Sequence, residues 1–125
     1  MKILWILLAL TFTATAEGRP MLKETPYAQV SDKIGKGKPY FLEIGSDSCR
    51  NCRIMGKLLY TITKEDPSLN IHFINVHKER SVASELKIMM IPTQLIFDAN
   101  GTEVFRHLGV LSRDELNSLF KTHQF

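Results

Sequence analysis

Cys49-Arg50-Asn51-Cys52 holds both cysteines of the chain. A disulfide across so short a loop removes little entropy from the unfolded state, so it makes a poor structural staple. The spacing suits a bond that opens and closes by thiol–disulfide exchange, in which a thiolate attacks. The apolar run Tyr40-Phe41-Leu42-Glu43-Ile44 just before the pair suits a buried strand, and Gly45-Ser46-Asp47-Ser48 supply turn chemistry. From Cys49 onward, Cys52, Met55, Leu58, Leu59 and Ile62 recur at helical intervals until Asp66-Pro67 closes the run. The cysteines therefore open a helix. Unpaired N–H groups and a partial positive charge at that end favour the thiolate form of Cys49, and Arg50 and Arg53 add positive charge. Cys52, one turn further in, is expected to be more covered and to act as the resolving thiol. A fixed structural disulfide and half of a zinc site stay open as other uses of such a pair.

The elements that must position this pair follow one another along the chain. Residues 17–26 contain Gly18, Pro20 and Pro26 and read as a lead-in with one short strand near Met21-Leu22. Tyr27, Val30 and Ile34 predict a short amphipathic helix, stopped by Gly35-Lys36-Gly37-Lys38-Pro39. After the cysteine helix, Ile71 to Val76 is a second apolar run, followed by a helical stretch from about Arg80 to Lys87. Strand and helix in alternation imply parallel pairing. Thr93 to Phe97 and Val104 to Leu108, joined through Asp98-Ala99-Asn100-Gly101, read as a hairpin. Ser112-x-x-Glu115 forms a capping box before a last helix whose apolar face is Leu116, Leu119 and Phe120.

The whole chain has 125 residues, enough for one core and too few for two. Ile3 to Thr15 is an almost unbroken apolar run behind Lys2, closing on the small-x-small pattern Ala14-Thr15-Ala16. Residues 1–16 therefore read as a signal peptide cleaved after Ala16, since the run is shorter than the roughly 20 residues that span a bilayer. An uncleaved anchor or a buried N-terminal helix is the competing reading. Loss of that segment removes Lys2 and lowers the formal charge from +3 to +2. So mild and dispersed a balance points away from nucleic acid and from an anionic membrane surface. Export also means an oxidising compartment.

With these residues in place, the chain resembles the thioredoxin family from about Tyr27 to Phe120. Three motifs carry the likeness: the strand followed by Cys49-x-x-Cys52, the Ile91-Pro92-Thr93 segment, and the Gly101 turn followed by Gly109-x-x-Ser112. The resemblance implies an α/β thioredoxin fold, a central mixed sheet of four to five strands flanked by helices, occupying residues 27–125. It implies a redox-active disulfide at Cys49 and Cys52, with no cofactor. It also implies that Pro92 follows a cis peptide bond and packs against the pair, although X-Pro bonds are trans by default. Ile91, Pro92, Thr93 and Gly109 are then substrate-binding, with the Ile91 backbone bonding an extended client segment and Gly109 keeping the groove open. On the residues alone, a plain strand-ending turn is the favoured reading of Gly109. Glu43, six residues before Cys49, stands where the family often carries a buried acid that exchanges protons with the second cysteine through water. Strand alternation alone would allow it to face outward.

Several positions depart from the family's usual pattern. Ser48 replaces a tryptophan, Arg50-Asn51 replaces Gly-Pro, and Phe73 replaces a strand lysine. Arg50 and Asn51 are candidate tuners of the pair: positive charge stabilises the reduced form, which makes the pair more oxidising. The expected activity is a thiol–disulfide oxidoreductase that reduces disulfides of exported proteins, c-type cytochrome precursors among them. Electrons would come from a membrane donor of the DsbD or CcdA kind, to a periplasmic or otherwise secreted monomer. A disulfide-forming oxidase or isomerase is the alternative. A copper or zinc metallochaperone is the alternative of another class. His72, His77, His107 and His123 do not group with the cysteines at metal-ligand spacing, and Met89-Met90 read as groove lining or packing.

Overall fold

The computed structural model describes residues 20–125; the expected signal peptide and the first residues of the lead-in lie outside them. Elements follow in the order α1 (Tyr27–Ser31), β1 (Tyr40–Gly45), α2 (Arg50–Glu65), β2 (Ile71–Asn75), α3 (Arg80–Glu85), β3 (Thr93–Phe97), β4 (Glu103–Leu108) and α4 (Arg113–Thr122). The four strands form one sheet in the order β2-β1-β3-β4. β1 runs parallel to β2 and antiparallel to β3, and β3 and β4 form the expected hairpin.

Strand alternation sorts the apolar side chains into two layers. Phe41 on β1 and Ile96 on β3 join Met55 and Leu59 of α2 and Leu116 and Phe120 of α4 on one face. Leu42, Ile44 and Leu95 join Val30 of α1 and Val82 of α3 on the other. Every residue of β1 is buried, which explains its near-continuous apolar composition. With helices on both faces, the alternation of β1 has no solvent side, so Glu43 cannot point outward. Its parity matches Phe41, and it faces the α2 layer.

The sequence expectations hold in type and shift at their ends. The Ser112 hydroxyl accepts from the Glu115 N–H and the Glu115 carboxylate accepts from the Ser112 N–H, closing the capping box at α4. α1 stops at Ser31 rather than reaching Ile34, because the backbone turns there, with the Lys33 and Ile34 N–H groups both donating to the Val30 carbonyl. α3 likewise ends at Glu85, short of Lys87, whose φ of 55° breaks the helix. No strand forms at Met21-Leu22. The Leu22 N–H donates instead to the Gly56 carbonyl of α2, and the lead-in meets the sheet two residues later through an isolated parallel bridge between Glu24 and Phe73.

Candidate active site

The end of β1 and the start of α2 bring the two cysteines to the rim of the sheet. Cys49 is the N-cap of α2, in extended conformation, and its Sγ accepts the Cys52 N–H at 3.3 Å. A thiol sulfur thus takes the place that a Ser or Asp oxygen commonly fills, satisfying one of the orphan donors of the helix start. Cys49 is partly exposed and Cys52 is buried, and both are free thiols. This separation follows from the helix: one turn carries Cys52 under the turn Gly45–Ser48, where only a glycine at 45 leaves room for its sulfur.

Burial pushes the Cys52 thiol up to about 12, with the hydrogen bond to Cys49 and the charges of Cys49 and Glu43 adding to it; a backbone hydrogen bond at Ser46 acts in the opposite sense. Glu43 is 1% exposed. Burial holds its carboxyl well above the usual carboxylate range, the Gln94 amide pulls it back down, and the Cys49 charge raises it again. Two weak acids therefore lie beneath an accessible thiol.

Arg50 and Asn51 are exposed on the first turn of α2. Arg53 folds back, its guanidinium donating to the Asp47 carbonyl at 3.3 Å, and so braces the turn before the cysteines. Ser48, in the place of the family's tryptophan, shares a hydrogen bond with Ser46 at 3.2 Å and another with His77 Nδ1 at 3.3 Å. A small polar chain thus stands where a large ring is usual.

The Ile91–Pro92 peptide bond is cis. Pro92 is buried and Ile91 half-buried, while Met89 and Met90 are 88% and 61% exposed. The buried Thr93 hydroxyl donates to the Met90 carbonyl at 2.6 Å, tying the loop to the strand that follows it. Gly109 has a φ of 101°, its N–H donates to the Pro92 carbonyl at 2.8 Å, and the space where a Cβ would stand is open. The methionines rim a hollow of about 350 Å³ shared with Val76, His77, Arg80 and Ile88. Among the described residues, no three His, Cys, Asp or Glu side chains converge as metal ligands.

A family model of the thioredoxin-like domain matches residues 27–124. This chain belongs to the thioredoxin family. It is 24% identical over 104 residues to a thioredoxin of Chlamydia trachomatis serovar D, covering 83% of this chain and all of that protein. A thioredoxin of Chlamydia muridarum is 26% identical over 94 residues, 75% of this chain and 90% of its own length. Among solved structures, Fasciola hepatica thioredoxin superposes with a TM-score of 0.69 at 21% identity, covering 82% of this chain and 99% of that one. A thioredoxin variant from Halobacterium salinarum gives 0.70 at 20% identity, covering 86% and 92%. At these identities the structures establish the thioredoxin fold, here with four strands at the low end of the expected four to five.

Two polar residues join Glu43 in a hydrogen-bonded chain that no sequence motif marks. Gln94 is fully buried inside an apolar strand, and its Nε2 donates to Glu43 Oε2 at 3.2 Å and to the Gly109 carbonyl at 2.8 Å. His107 Nδ1 meets Gln94 Oε1 at 2.7 Å. A glutamine within Thr93–Phe97 is the one signal the sequence offered, since a buried amide needs partners.

Proposed function

We propose that this thioredoxin-family chain is an exported protein-disulfide reductase. The observation that carries the reading is the pairing of an accessible thiol at a helix N-cap with a covered thiol one turn deeper. Cys49 attacks a client disulfide, forming a mixed disulfide and releasing one client thiolate, which takes up a proton. Cys52 then loses its proton to the Glu43 carboxylate, through water, and its sulfur attacks Cys49 Sγ. The internal disulfide forms, the second client thiolate leaves, and the client gains the two electrons that the pair loses. The cis-Pro92 loop, with Gly109 beside it, supplies backbone for an extended client segment, and Met89 and Met90 offer it an apolar rim. The apolar residues 3–15 and the Ala14-Thr15-Ala16 pattern support export. Outside the cell interior, a membrane thiol carrier of the DsbD or CcdA kind restores the dithiol.

Trapping and potentiometry test this together. Cys52→Ser should accumulate mixed disulfides with clients, and Cys49→Ser should abolish exchange; capture by the Cys49 variant alone would reverse the two roles. A potential near that of thioredoxin, about −270 mV, fits reduction, whereas one near about −120 mV assigns the chain to disulfide formation. The sulfur cap and the basic Arg50 favour that second reading, because both stabilise the reduced pair.

A further inference from the structure

Register lines up four side chains across the sheet. Phe73 of β2 pairs with Glu43 of β1, Glu43 with Gln94 of β3, and Gln94 with His107 of β4. Gln94 lies on the same face as Ile96, the face that packs against α2 and α4. Glu43, Gln94 and His107 are joined along this row by hydrogen bonds.

The orientation of the central amide is determined by its partners. The Gly109 carbonyl can only accept, so the amide nitrogen must face it, and Oε1 must face His107. His107 Nδ1 must then carry the proton. One Nε2 hydrogen goes to Gly109 and the other is left for Glu43. Because Gly109 also donates to the Pro92 carbonyl, the amide joins the buried acid to the loop that frames the groove.

We propose that Gln94, held in this orientation by His107, is a positioning residue that sets the proton affinity of Glu43 and so the readiness of Cys52 to resolve mixed disulfides. The inference rests on the reading of Glu43 as the proton acceptor of Cys52. An N–H donor aimed at a buried carboxyl stabilises its charged form and opposes the effect of burial. Phe73, on the other flank, supplies no donor, which leaves the Gln94 amide as the hydrogen-bond partner of the acid. Among the described residues, the other titratable groups that interact with Glu43 are Cys49 and Cys52, around the start of α2. His107 lines an open cleft of about 490 Å³ together with Asp114 and Glu115 of α4, so the outer end of the row is open to solvent.

The test follows the Glu43 side-chain carboxyl by NMR titration in the reduced protein, alongside the pH profile of client release from the mixed disulfide. Gln94→Leu removes the donor and should raise the Glu43 midpoint by about one pH unit, moving the release profile with it. His107→Phe should shift both in the same direction by less, and His107→Asn, which keeps a donor for Oε1, should restore them. These two substitutions lie toward the sheet edge and keep the question answerable if Gln94→Leu fails to fold. An unchanged Glu43 midpoint in folded Gln94→Leu, or in both His107 variants, overturns the inference. The underlying reading fails separately: Glu43→Gln would then leave the pH profile of client release unaltered.

Discussion

Gly45 lies so close against Cys52 that a methyl group on its Cα would stand 2.9 Å from the thiol sulfur and 3.2 Å from Cys52 Cβ. The last residue of β1 is thus fitted to the Cys52 thiol, and the strand's end fixes how deep that sulfur sits. Gly45→Ala should destabilise the fold by about 1–3 kcal/mol, the usual range for overpacking a filled core. It should also slow resolution, because the sulfur must move to admit the methyl. Urea unfolding and the lifetime of the mixed disulfide measure the two effects; wild-type values in both would mean that the contact is slack.

The raised carboxyl of Glu43 makes stability depend on pH with a definite sign. Between its ordinary value of 4.5 and its folded value, the folded chain keeps a proton that the unfolded chain releases. Stability therefore falls as pH rises through that window, at up to about 1.4 kcal/mol per unit. Glu43→Gln does not titrate there, so it should gain on the wild type from just above pH 4.5 upward. Parallel stability curves for the two proteins, from denaturation across pH, would show that Glu43 ionises as freely in the fold as out of it.

Alkylation should separate the two thiols of the reduced protein. Near pH 8, iodoacetamide should add one label, at the partly exposed Cys49. Cys52 is both covered and, at about 12, overwhelmingly a thiol at that pH, so it should react only after unfolding. Mass spectrometry of the labelled peptides decides the matter, and equal labelling would contradict the burial of Cys52.

What the sequence made legible is what neighbours in the chain decide. The strand, turn and helix around Cys49, the box of Ser112 and Glu115, and the hairpin turn at Gly101 all depend on residues a few positions apart. The polar row across the sheet does not. Gln94 reaches Glu43 from 51 positions away, through a register that two separate strands settle only on pairing. His107 then reads as one of four scattered histidines until β4 lies beside β3. The lead-in escaped for a similar reason: its backbone bonds go to Gly56 and Phe73, partners that no local pattern announces.

That lead-in has a bearing on how the molecule keeps its own company. A β-sheet ends in strands whose outer N–H and C=O groups invite another chain. Here β2 has its outer side met by Glu24 at Phe73, with the Thr25 N–H donating to the Phe73 carbonyl at 2.8 Å, so the chain itself covers the middle of that flank. At the opposite flank, β4 carries Glu103 and Arg106, paired at 2.7 Å, on an exposed strand whose charge discourages stacking. One edge of the sheet is thus partly met by the chain's own lead-in and the other carries an ion pair, so each margin is less open to strand pairing than a bare edge.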